Sequence, residues 1–200
     1  MIELLPLHES NLHYIAAWNE GKGLDFLRQW AGPSAYSYPL TEEQLKTRLE
    51  YSKRRQSDFV MYEIILDRKT MIGTVELFAI DRETLRATMG RFLISEEYRD
   101  KGYGQETIKA LFRLAKDHYK IEELRLNVFE FNVAAQKCYE KAGFVFDSLK
   151  LDPQNPKWNL YIYVAELYAI DIETGQRMLP ELAPDYIPDG EEPPLDIYTF

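Results

Sequence analysis

The sequence predicts a mixed α+β (α/β) fold, in which one mixed sheet carries helices on its faces. Three observations point to it. Apolar and β-branched runs at Phe59–Leu66, Met71–Ile80 and Ala87–Ile94 follow one another as an antiparallel meander would. Gln105–Tyr119 places Ile108, Leu111, Phe112 and Ala115 on one face of a helix. Between that meander and that helix lies a glycine-bearing loop, Arg99-Asp-Lys-Gly102-Tyr-Gly104.

Taken in order, Ile2–Leu7 reads as a short strand, and Asn11–Trp18 has Leu12, Ile15 and Ala16 at helical spacing. The aromatic stretch that follows (Phe26, Trp30, Tyr36, Tyr38) shows no regular period. Thr41-Glu-Glu-Gln44 has the form of a capping box, which predicts a helix from there to about Arg55. Asp67-Arg-Lys-Thr70 separates the first two meander strands and predicts a hairpin. After Gln105–Tyr119, Leu124–Val128 is a short strand, and Asn132 can cap a helix that ends at Gly143. Phe144–Leu151 and Leu160–Ala169 are expected to close the sheet as a strand pair.

Composition narrows the class. The chain has 200 residues, 46% of them hydrophobic, and needs no disulfide or metal to build a core. Length favours one domain, expected over residues 1–175, followed by an acidic, proline-rich tail at 176–200. From Pro180 onward there are five prolines and six acidic residues, with no lysine or arginine after Arg177. Tyr198 and Phe200 at its extreme end are candidates to anchor Pro184–Phe200 to a surface. The start lacks the basic-then-apolar pattern of a secretory signal, and no stretch suffices to span a bilayer, so a cytoplasmic protein without membrane partners is expected. The single cysteine, Cys138, fits a reducing compartment. One cysteine and three scattered histidines offer no metal site. A net charge of −9 argues against nucleic-acid partners and permits a cationic one.

The glycine-bearing loop is an anion site by its context. Gly102 and Gly104 let the backbone turn tightly, and the helix behind them adds unpaired N–H groups and a positive dipole end. No Lys-Ser/Thr follows, so the loop is not a Walker A sequence, and position 107 is threonine where a dinucleotide fingerprint needs its third glycine. A second cluster, Asn132-Val-Ala-Ala135-Gln-Lys-Cys-Tyr139-Glu-Lys141-Ala-Gly143-Phe144, sets Asn132 and Tyr139 two turns apart on one helical face, with the small Ala135 between them.

With these two motifs in this order and about 30 residues apart, the chain from about Ile2 to Ala169 resembles the GCN5-related N-acetyltransferase (GNAT) superfamily. The resemblance implies a mostly antiparallel central sheet flanked by helices on both faces, acetyl-CoA as cofactor, and transfer of the acetyl group by direct attack of a primary amine on the thioester. It further implies that the backbone of Arg99, Asp100, Lys101, Gly102, Tyr103, Gly104 and Gln105 cradles the CoA pyrophosphate. Phe92, Leu93 and Ile94 would offer main-chain groups to the pantetheine arm. Asn127 and Asn132 would bind by their amides, Ala135 would let the cofactor lie against the helix, and Tyr139 would protonate the departing thiolate. Simple packing is the alternative for Tyr139.

Glu76, in an expected central strand, is the first candidate to take the acceptor's proton, because burial raises a carboxylate's pKa toward a useful range. A plain ion pair with a strand neighbour such as Arg91 is the alternative. Glu63, Glu97 and a water relay stay open, and Cys138 reads as a buried, unreactive thiol. His8, His13 and His118 read as surface residues. Trp30, Tyr36 and Tyr38 form either an acceptor wall or a satellite core. The acceptor is expected to be a small amine, such as a polyamine or an aminoglycoside-like drug, or a protein N-terminus. The pattern looks most like the branch with ribosomal-protein N-terminal and small-amine acetyltransferases, and homodimerisation is left open. A non-catalytic acyl-CoA-binding module is the competing function, which the phenol at position 139 counts against.

Overall fold

The computed structural model describes residues 1–178, so all but the first three residues of the tail expected at 176–200, Tyr198 and Phe200 included, lie outside the described residues. The elements are β1 (Ile2–Pro6), α1 (Leu12–Asn19), α2 (Leu24–Ala31), α3 (Glu42–Ser52), β2 (Val60–Leu66), β3 (Thr70–Asp81), β4 (Arg86–Ile94), α4 (Tyr103–Asp117), β5 (Glu123–Phe129), α5 (Val133–Ala142), β6 (Val145–Lys150) and β7 (Leu160–Glu166). The seven strands form one sheet in the order β1-β2-β3-β4-β5-β7-β6. Neighbours pair antiparallel except β4 and β5, which run parallel with α4 as their crossover.

Two cores hold the layers together. Under α4, the buried Ile108, Leu111, Phe112 and Ala115 meet Val75, Leu77, Met89 and Leu126 of the sheet, and the Phe112 ring lies 5.1 Å from that of Phe144. Each of these large side chains contributes about 1.5–3 kcal/mol through burial. On the opposite face, Ile15, Leu27, Leu45 and Leu49 from α1, α2 and α3 cover Met61, Ile65 and Met71.

Two sequence expectations change. The aromatic stretch after Lys22 contains a regular helix, α2, whose eight residues run between Gly23 and Gly32. Its Leu27, Trp30 and Ala31 are buried, a stripe too short for periodicity to announce. The capping box is half made: Thr41 Oγ1 accepts the Gln44 N–H at 3.3 Å, but the Gln44 side chain turns back to Ser37 and Pro39 instead of the Thr41 N–H. The closing strands pair as expected, β6 with β7, and it is β7 that lies beside β5. A bulge opposite Ile64/Ile65 puts Ile72 in the core under α4, while Glu76 faces α3.

The β4–β5 pair positions the site. Its parallel register covers Arg86–Met89 against Glu123–Leu126 and stops there. Beyond it the strands part, and β4 bulges: Glu76 stands opposite Gly90, and Thr74 opposite Leu93, so Arg91 and Phe92 face Val75 alone. Arg91 sits at φ +46°, left-handed for a non-glycine residue. Among the described residues, no helix is long and apolar enough to cross a membrane.

Candidate active site

A cleft of about 680 Å³ opens where β4 and β5 part. It runs from the loop before α4, between the two strand ends and along α5, to the edge of α2. Of the residues singled out above, it brings together Phe92, Leu93, Ile94, Arg99, Asp100, Gly102, Gly104, Gln105, Asn127, Asn132, Ala135, Tyr139 and Trp30.

The loop end can take an anion. Asp100 and Gly102 adopt left-handed φ values of +59° and +84°, which turns the chain sharply into α4. Gln105 and Glu106 donate their N–H groups to the Gly102 carbonyl at 3.1 and 3.2 Å. The amides of Tyr103 and Gly104, at the first turn, have no acceptor within the helix and sit at its positive end. Arg99 is fixed by an Nε–H bond to the Ile94 carbonyl at 2.9 Å. Gly104 sits at a close approach: a Cβ there would lie 3.1 Å from Cys138 Sγ and 3.8 Å from Ile94 Cδ1, so the start of α4 is packed close against α5. Lys101 and Tyr103 do not line the cleft with their side chains; Lys101 lies over the Tyr98 ring and Tyr103 packs against that ring at a tilt.

The α5 wall carries the second motif. Asn132 Oδ1 accepts the Ala135 N–H at 3.3 Å, so the side chain that lines the cleft is also the helix cap, and its amide nitrogen is left for a ligand. Tyr139 packs edge-on against Phe144 at 6.0 Å. Burial, and then the neighbouring Cys138, push its phenol well above the ordinary tyrosine value, so it keeps its proton throughout the neutral range. Burial pushes the Cys138 thiol up to about 11, which holds it as an unreactive thiol. Lys137 and Lys141, one turn apart on this wall, were not singled out from the sequence, although their spacing of four within the motif was a readable signal. With Arg99 they outnumber Asp100, the one carboxylate among the described cleft residues, and the cleft is cationic inside a chain of net charge −9, the Arg91 guanidinium being taken up by Glu76.

Glu76 lies elsewhere. It is 1% exposed and does not line the cleft. Arg48 of α3 binds it with two hydrogen bonds, Nε–H to Oε1 at 2.8 Å and Nη2–H to Oε2 at 2.7 Å, and Arg91 Nη1 stands 3.2 Å from Oε2. Both oxygens are therefore occupied, and the plain ion pair with Arg91, widened by Arg48, describes the residue. Tyr36 completes this cluster, its phenol pushed far up by burial and by the Glu76 charge. Glu63, also buried, accepts from Asn11 Nδ2 at 2.7 Å and serves the entry to α1.

The three acceptor-wall aromatics separate. Trp30 lines the cleft, with Nε1–H bonded to Asn19 Oδ1 at 2.9 Å. Tyr36 meets the Trp30 ring at a tilt, 6.0 Å between centroids, and does not line the cleft, and Tyr38 is exposed beside α1. Phe26 and Gln29 join Trp30 at the cleft edge because α2 is a helix, which the irregular reading of that stretch concealed.

The arrangement fits coenzyme A. The β4 edge from Gly90 to Ile94 has no β5 partner and can take an extended ligand as a further strand, the first turn of α4 can take a pyrophosphate, and the lysines of α5 can take a further phosphate.

Comparison with known proteins agrees. The model of the Acetyltransferase (GNAT) family matches residues 24–144. A spermine/spermidine N(1)-acetyltransferase of Bacillus subtilis (strain 168) is 34% identical over 86 residues, which cover 43% of this chain and 57% of that protein. The probable N-acetyltransferase YjcK of the same organism is 28% identical over 129 residues, 62% of this chain and 70% of that one. In three dimensions, the spermidine N-acetyltransferase of Vibrio cholerae, solved with CoA and spermine, superposes with a TM-score of 0.71 at 17% identity, covering 84% of this chain and 98% of that one. At that identity the likeness concerns the fold.

Proposed function

Because this chain belongs to the Acetyltransferase (GNAT) family, we propose that it transfers an acetyl group from acetyl-CoA to the primary amine of a small molecule, with polyamines the first acceptors to test. The observation that carries the reading is the single cleft in which a phosphate-binding helix start, an unpaired strand edge and a buried, protonated phenol converge. The relatives named for spermine and spermidine support the choice of acceptor.

Each part of the cleft has a task. The amides at the start of α4 and Arg99, with Lys137 and Lys141, hold the phosphates. The edge of β4 and the free amide nitrogen of Asn132 orient the pantetheine arm, and Ala135 leaves room for it. Bound acetyl-CoA would supply the acetyl group as a thioester, a bond whose leaving thiolate needs a proton. Tyr139 provides it: a phenol held neutral by burial is a competent acid for charge developing within hydrogen-bond reach. Asp100, the one carboxylate lining the cleft among the described residues, lies at the phosphate end, so the acceptor's proton departs through water. Trp30, Phe26 and Gln29 border the opening through which the amine enters.

The experiment is release of free CoA thiol, followed with a thiol reagent, while spermine, spermidine, other amines and N-terminal peptides are offered. Turnover on a polyamine is the expected result. CoA binding without turnover on any amine would overturn the catalytic reading in favour of an acyl-CoA-binding module, and turnover on peptide N-termini alone would overturn the choice of acceptor.

A further inference from the structure

We infer that Glu76 and Arg48 are positioning residues for the cofactor cleft, acting through Arg91 and the bulge of β4; this rests on the acetyl-CoA reading above. The bulge is where β4 leaves β5, and its residues Gly90, Arg91 and Phe92 form the cleft wall. It depends on a left-handed arginine, a conformation that an unrestrained non-glycine residue abandons by about a factor of ten or more at equilibrium. Something must hold Arg91 there, and its side chain shows what does. The guanidinium lies over the Phe78 ring at 4.6 Å and reaches Glu76 Oε2 at 3.2 Å.

Glu76 is itself immobile, because Arg48 grips both its oxygens and lies over the Phe59 ring at 4.4 Å. The chain of contacts runs from α3 through Arg48 and Glu76 to Arg91. It ends at the backbone that would receive an extended ligand. The cluster carries two guanidiniums for one carboxylate, and Arg91 Nε is a buried donor with no partner. Such an arrangement is poorly explained by stability, since an apolar cluster of the same volume commonly does as well or better. Its position at the bulge gives it a purpose: with Glu76 charged, Arg91 is drawn inward and the β4 edge stays open toward β5.

The test measures CoA affinity by calorimetry together with KM for acetyl-CoA and kcat. Glu76→Gln is expected to weaken CoA binding about tenfold, the size of the released backbone preference, with kcat at saturation changed far less. Arg91→Gly removes the conformational demand, because glycine adopts φ +46° freely, and also removes the orphaned guanidinium. The double variant Glu76→Gln/Arg91→Gly is therefore expected to bind CoA within about threefold of wild type, a rescue no general loss of packing would produce. Arg48→Met, which keeps the Glu76–Arg91 pair, reads the same property if Glu76→Gln does not fold, and is expected to weaken CoA binding by a smaller factor. Folded variants that bind CoA as wild type does, or a double variant no better than Glu76→Gln, overturn the inference. A wild-type protein that ignores CoA would instead overturn the acetyl-CoA reading on which it stands.

Discussion

Gly104→Val separates the fold from the ligand site in one residue. A Cβ at position 104 meets Cys138 Sγ at 3.1 Å, tighter than ordinary van der Waals contact, and valine adds two methyl groups where α4 packs on α5. Overpacking of this kind costs about 1–3 kcal/mol. For a chain of this size each kcal/mol lowers the melting temperature by about 2–4 °C, so the unliganded variant should melt roughly 2–12 °C below wild type. CoA at a hundred times its Kd stabilises the wild type by about 2.7 kcal/mol, or roughly 5–11 °C on the same scale. Valine at the phosphate end of the cleft should abolish that increment. Cys138→Ala in the same chain removes the sulfur the new side chain strikes, so Gly104→Val/Cys138→Ala should regain most of the unliganded melting temperature while still showing no CoA increment. Thermal melts of wild type, single and double variants, each with and without CoA, read both quantities. A full CoA increment in either variant would refute the assignment of the loop to the pyrophosphate.

Tyr139→Phe keeps the ring that packs on Phe144 and removes only the hydroxyl, so stability and CoA affinity should hold while kcat falls about 10²–10⁴-fold, as steady-state kinetics on any good acceptor would show. Cys138 lines the cleft with its pKa raised to about 11, so alkylation by iodoacetamide at pH 8 should be slow; the folded state holds the proton more tightly than the unfolded chain, and the rate should climb as pH rises toward 11. Saturating CoA should slow that alkylation further, and equal rates with and without CoA would place the cofactor elsewhere.

What the sequence determined by itself is what depends on local pattern. The spacing of Ile108, Leu111, Phe112 and Ala115 sets the buried face of α4, Asn132 and Gly143 bound α5, and both ends of the cleft follow from residues close together in the chain: Arg99 to Gln105, and Asn132 to Tyr139. α2 escaped because eight residues give barely two turns, too few for a period to stand out among aromatics that each have another use. Tertiary structure alone decided the rest. That β7 pairs with β5 and sends β6 to the sheet edge depends on which strands meet across 30 or more residues, information that no window of the chain contains. The bulge at Arg91 arises from a register between two strands, and the role of Glu76 turns on Arg48, 28 residues earlier on another layer. A carboxylate buried in a central strand looks the same in sequence whether it faces a substrate or two guanidiniums. Its chemistry is set by what the fold brings within 3 Å, because charge and hydrogen bonding act at that range and sequence separation does not.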